Sequence, residues 1–225
     1  MMTATEEGFI QLMPDEFHAT PGTDDWHVLF WGAQAFYRTD SFAQAAAFVA
    51  DIARAAAEVG HDPDVDVRPE GVAIKTFTRA DGALSRADAD VAVAVSAAAH
   101  ARGLVADPSV LSVVGIAVAQ DAGVDLREFF ESVFAYVRVG EEDLIDPLRR
   151  GPHLWFHELT PPKPGRGRTH IDFSVPADVA EERMRAALAH GGRMVGDGAI
   201  MPQTWTVASP DNHGIDIAGW ADSVA

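Results

Sequence analysis

Between residues 58 and 88 the chain leaves itself few architectures. Gly60 closes an Ala-rich helical run, and His61-Asp62-Pro63 follows. Two alternating segments come next, Asp64–Arg68 and Val72–Thr78, joined by Pro69-Glu70-Gly71, and Ser85 then opens a new helix. Period-two spacing sets Val65 and Val67, then Val72, Ile74 and Thr76, against their neighbours, as a half-buried hairpin requires. Helix, hairpin and helix in this order place polar groups where the first helix meets the hairpin.

Upstream, Trp26 to Arg38 predicts two strands around Gly32, and Thr39-Asp40-Ser41 is a helix start. In the run Phe42–Val59, Phe42, Ala46, Val49, Ala53 and Ala56 fall on one helical face, widened by Phe48 and Ile52. Ser85-Arg86-Ala87-Asp88 has capping-box spacing, and a helix from Ala89 to Arg102 stops at Gly103. The expectation is an α+β domain over residues 21–105, an antiparallel sheet with helices on one face, preceded by a tail or loosely docked arm at 1–20. A domain of that size often gains stability from association.

The wording HDPDVDVR in this setting resembles the pterin-4a-carbinolamine dehydratase family. The family carries His-His-Pro after the first helix, Thr-His at the end of the second hairpin strand, and a later Asp. Here His61 and Pro63 keep their places, Asp62 stands at the second His, Thr78-Arg79 at the Thr-His, and Asp88 at the Asp. The resemblance implies a lyase that dehydrates a 4a-hydroxytetrahydropterin, with His61, Asp62, Arg79 and Asp88 as site residues and no cofactor, and a chain that associates as a homo-oligomer, a dimer. Such a reaction needs an acid for the departing hydroxyl and a base for the N5 proton, and an imidazole serves either step. Asp62 can orient His61 or accept a proton, whereas the guanidinium of Arg79 binds a carbonyl but is a poor acid or base. Asp88 also has a purely structural use as a helix cap. The substitutions point to a weakened lyase.

After the linker Ala106-Asp107-Pro108-Ser109 the pattern changes. Ser112–Ala119 predicts a strand, Leu126–Tyr136 a helix, and Val137–Asp146 and His153–Leu159 strands. Beyond the Pro/Gly-rich connection Thr160 to Gly167 the order recurs. Arg168–Val175 is a strand, Val179–His190 a helix, and Arg193–Met201, Trp205–Ala208 and Gly214–Ala218 are strands. Two consecutive modules of this kind make an internal repeat. Gly151-Pro152-His153-Leu154-Trp155-Phe156, Arg168-Thr169-His170-Ile171-Asp172 and Ser209-Pro210-Asp211-Asn212 resemble the vicinal-oxygen-chelate superfamily, the glyoxalase-like fold of paired βαβββ modules. The resemblance assigns residues 110–225 to a glyoxalase-like domain.

Metal sites of that superfamily take ligands from the first and last strands of each module. By this resemblance Glu158, His170 and Asp216 are the metal candidates, and the fourth position falls on Val114. Alternation sends Ile171, Phe173 and Val175 to the helix side and His170, Asp172 and Ser174 to the cleft. Imidazole and carboxylate ligands with water suit a divalent ion. His157 replaces Glu158 if the register slips by one residue. The alternative is a metal-free cleft lined by His170, Asp172, Trp155 and Trp205.

Composition bounds the rest. A hydrophobic content of 48% builds a packed core, and zero cysteines exclude disulfides and thiolate chemistry. A net charge of −17 argues against nucleic acid as a partner. The first residues lack a basic segment and a long apolar run, so a cytoplasmic protein without a membrane partner is expected. The reading is therefore a pterin lyase carrying a small-molecule-binding domain. Its rivals are a non-catalytic binding protein and a metal-dependent isomerase or dioxygenase acting through the second domain.

Overall fold

The computed structural model describes residues 11–30, 32–123, 125–159, 169–201, 203–208 and 214–220. The connection from Thr160 to Gly167, Arg168 and the stretch Ser209-Pro210-Asp211-Asn212 lie outside them. Backbone contacts divide the chain into two units, Met1–Pro108 and Ser109–Ala225. No helix among the described residues is long and apolar enough to cross a membrane.

The first unit contains helix α1 (Pro14–His18) and strands β1 (His27–Leu29) and β2 (Gly32–Arg38), followed by helix α2 (Phe42–Val59). Strands β3 (Asp64–Arg68) and β4 (Gly71–Thr76) and helix α3 (Arg86–Ala101) complete it. Its antiparallel sheet has the order β1-β2-β4-β3. Apolar residues of the sheet, among them Ala35, Tyr37, Val72 and Ile74, share one core with Phe48 and Ile52 of α2 and Val91 and Val95 of α3.

Two details differ from the sequence reading. Residues 14–18 form a helix rather than a loose arm, because Phe17 is fully buried in the core and Leu12 N–H bonds the Leu84 carbonyl. The buried face of α2 is Ala45, Phe48, Ile52, Ala55 and Ala56, while Phe42 is exposed. Phe42 occupies the first turn, where the helix has only begun to cross the sheet.

The second unit repeats one plan twice. Strand β5 (Val113–Gln120) and helix α4 (Arg127–Phe134) lead into β6 (Val137–Val139), β7 (Asp143–Ile145) and β8 (His153–Glu158). Strand β9 (Thr169–Ser174) and helix α5 (Ala177–Ala189) lead into β10 (Arg193–Met201), β11 (Thr204–Ala208) and β12 (Gly214–Ala218). One eight-stranded sheet results, in the order β10-β11-β12-β9-β5-β8-β7-β6. In each half the first strand runs parallel to the last, β5 with β8 and β9 with β12, and the halves join through antiparallel β5–β9. The expected single strand Val137–Asp146 is a hairpin. Gly140, at φ 61°, takes a left-handed conformation that turns the chain between β6 and β7.

Candidate functional site

In the first unit, Gly60 ends α2 in the left-handed conformation (φ 77°), and the amides of Gly60 and His61 both bond the Ala56 carbonyl. This reversal turns His61 toward the start of α3. Its Nε2 lies 2.7 Å from Oδ1 of Asp88, which is fully buried. Thr76 Oγ1 donates to the same oxygen at 2.6 Å. The other oxygen, Oδ2, accepts from Thr78 Oγ1 at 2.8 Å, from the Ser85 amide at 2.8 Å and from Ser85 Oγ at 3.0 Å. The capping contact to Ser85 and the contact to His61 are therefore made by one carboxylate.

His61 and Asp88 are brought together, and the other two expected site residues are not. Asp62 is exposed and makes no hydrogen bond or ion pair among the described residues. Arg79 pairs with Asp64 Oδ1 at 3.0 Å, at the start of β3. The turn Thr78–Ala83, closed by backbone bonds from Gly82 and Asp81 to Thr78, carries Arg79 to the surface. The capping-box spacing had paired Ser85 with Asp88, whereas Thr76 and Thr78 were missed as its partners. Their signal is the alternation that sends Thr76 and Thr78 down the same hairpin strand toward the helix start.

In the second unit, cross-strand register decides which side chains meet. Asp216 is paired with Asp172, and Asp172 with Gly115, which is paired with His153. His170 is paired with Ala117, itself opposite Trp155, and Trp155 is opposite Asp143. One sheet face therefore gathers His153, Trp155, His157, His170, Asp172, Asp216 and Asp143. His170 Nε2 lies 3.0 Å from Asp216 Oδ2 and 3.4 Å from Asp172 Oδ1. Trp155 Nε1 donates to Asp172. The His157 ring stacks on Trp155 at 4.7 Å and lies 5.9 Å from the His170 ring.

Three sequence assignments change here. Glu158 lies outside the cluster, with its Oε1 accepting from the Gly123 amide at 3.3 Å, and His157 takes the inward direction. Val114 is paired with Phe173, off the cleft face, which meets β5 at Gly115 and Ala117. Trp205 is opposite Ile217 and packs in the core under α5, not in the cleft. Each is a strand residue, for which a shift of one position reverses the face. Gly115 is needed where it stands, because a Cβ there would overlap the buried His153 ring.

Electrostatics follow the geometry. Hydrogen bonds to Asp172 and then Asp216 raise His170 from 6.5 to about 9, against desolvation. Burial opposes ionisation of Asp216, yet its bonds with His170 and Thr206 hold it below the ordinary carboxylate range. Burial, and then the charges of Glu142 and Asp172, push Asp143 up to about 7.

Residues 12–98 match the family model for pterin 4 alpha carbinolamine dehydratase, and residues 112–218 match the model for a glyoxalase-like domain. The chain joins a pterin-dehydratase-like domain to a glyoxalase-like domain. Among solved structures, the transcriptional coactivator/pterin dehydratase of Brucella melitensis is similar at 19% identity, covering 40% of this chain and 99% of that one, with a TM-score of 0.37. An NAD-dependent benzaldehyde dehydrogenase of Legionella pneumophila is similar at 15% identity, covering 47% and 96%, with a TM-score of 0.34. No curated protein matches.

The glyoxalase-like domain fits a divalent cation. Ligand atoms of His170, Asp172 and Asp216 all lie within 4.8 Å of one another. His157 Nε2 and Asp216 Oδ1 are buried without a hydrogen-bond partner. Orphaned polar atoms of this kind cost free energy unless something outside the chain satisfies them.

Proposed function

We propose that the protein is a cytoplasmic lyase of the 4a-hydroxytetrahydropterin dehydratase type, slow for its class, carrying a cation-dependent small-molecule site in its second domain. The observation that supports the lyase is the 2.7 Å contact between His61 Nε2 and the buried Asp88 carboxylate. A carboxylate in that position orients an imidazole and stabilises its protonated form, as general acid–base work requires. The reaction removes the N5 proton and the 4a-hydroxyl of the pterin, and His61 is the group that moves the proton. Asp62 is exposed and Arg79 is bound to Asp64, so neither assists His61 and a slow reaction is expected.

Water loss from freshly generated 4a-hydroxytetrahydropterin, with and without protein, tests this. The expected outcome is an acceleration lost by about 100-fold or more in His61→Gln, within the usual range for one acid–base group. No acceleration by the wild type rejects the lyase.

The exposed Asp62 and the Asp64-bound Arg79 favour a second reading, a binding protein without turnover. A pterin analogue that raises the melting temperature while no water is lost supports it, because a ligand of the folded state stabilises that state.

In the glyoxalase-like domain, His157, His170, Asp172 and Asp216 are the residues that would hold a divalent ion. When bound, such an ion polarises an oxygen of its ligand as a Lewis acid. Metal analysis of protein prepared without chelator tests the assignment, and a stoichiometric ion lost in Asp216→Asn is expected. A homodimer belongs to the same reading, and analytical ultracentrifugation tests it.

A further inference from the structure

The dehydratase-like site holds one imidazole where its family uses several, and the way that imidazole is held indicates how one can be enough. Asp88 already accepts from Thr76, Thr78 and both the amide and hydroxyl of Ser85. A carboxylate so engaged only accepts, so the Nε2 that meets it is the protonated nitrogen of the neutral ring. That leaves Nδ1 bare. Nδ1 makes no hydrogen bond among the described residues and is not one of the fully buried unpartnered atoms, and the His61 side chain keeps 16% of its surface exposed.

We infer that His61 Nδ1 serves as both base and acid in turn, with Asp88 as the positioning residue that fixes the tautomer. This deepens the lyase reading above and rests on it. In the substrate the N5 hydrogen and the 4a-hydroxyl sit on adjacent ring atoms, so a single nitrogen reaches both. Nδ1 takes the N5 proton, and the electron pair left on N5 forms the C4a=N5 bond. The C4a–O bond breaks with its pair on oxygen, and Nδ1 returns the proton to that oxygen. Water leaves, the quinonoid dihydropterin remains, and the enzyme ends with the protons it had at the start. The imidazolium exists only between the two transfers, and the Asp88 carboxylate offsets its charge.

Two measurements on the full-length protein test the shuttle. Nitrogen-15 spectra of histidine-labelled protein, with the His61 signals assigned by their loss in His61→Gln, read the tautomer directly. The neutral ring carrying its proton on Nε2 is expected, and the proton on Nδ1 overturns the proposal whether or not the protein is active. The pH dependence of kcat/KM is expected to rise through one ionisation and then stay level, since only the neutral ring must be present at the outset. A bell with a second, alkaline limb means a separate acid, which overturns the shuttle and leaves the lyase standing. No turnover at any pH removes the lyase and the shuttle together. Asp88→Asn is expected to lower kcat at least tenfold with KM held within twofold; equal losses in both, or no loss in kcat, overturn the positioning role of Asp88.

Discussion

Replacing His170 by Asn makes the stability of the glyoxalase-like domain respond differently to pH, and the size of the effect follows from the site. His170 is raised from 6.5 to about 9 by Asp172 and Asp216, and its side chain is one quarter exposed. At about 1.4 kcal/mol per unit, the shift corresponds to roughly 3 kcal/mol as an upper figure, since the exposed part of the ring is screened. The folded-state value lies above the unfolded one, so the contribution is complete below about pH 6.5 and is lost as pH rises through about 9. The depressed Asp216 takes part in the same interaction and is not counted again. Its side of the linkage is lost only as pH falls below the ordinary carboxylate range.

The wild-type curve alone is not diagnostic, because Asp143 destabilises the fold as it ionises through about pH 7. The difference between wild type and His170→Asn cancels that contribution. Urea unfolding in the presence of chelator, followed by tryptophan fluorescence from about pH 6 to pH 10, gives the difference. It is expected to shrink by about 2–3 kcal/mol across this range. A difference that stays constant refutes the claim that His170 is held protonated by the two carboxylates. Two transitions are expected in such data, one per domain, and the glyoxalase-like one is identified as the transition that moves.

Other outcomes follow from single contacts. Asp88→Ala removes the acceptor of His61, Thr76, Thr78 and Ser85 from a buried site and is expected to cost about 3 kcal/mol or more in chemical denaturation. Asp143→Asn is expected to stabilise the protein by about 1–3 kcal/mol near pH 8 and to leave stability unchanged near pH 4, where the native carboxyl is already neutral. Gly115→Ala places a methyl against the His153 ring and is expected to cost about 1–3 kcal/mol, read as a lower urea midpoint at unchanged slope.

The helices and most strands were legible because their signals are local. Ser41 and Gly60 bound α2, and Val65 to Thr76 alternate cleanly through the hairpin. Gly140 did not mark a turn because one glycine between the β-prone pieces Val137-Arg138-Val139 and Leu144-Ile145 reads as part of a strand until its left-handed backbone is seen. The cleft was harder. In His153-Leu154-Trp155-Phe156-His157-Glu158 either alternate set contains a plausible ligand, and only pairing with β5 and β7 settles which set faces His170. Trp205 poses the same problem on β11, where the partner Ile217 assigns it to the core. Phe42 shows the other limit, that a periodic stripe says which residues align but not how far along the helix the sheet extends.

Asp88 is anchored by folding as firmly as by any chemistry. The hairpin threonines and the first turn of α3 both depend on its two oxygens, so a relative that never touches a pterin would still have to keep it. His61 has no comparable obligation. Whether a chain of this kind can catalyse anything is therefore read from the imidazole, since the fold alone is reason enough to retain the aspartate.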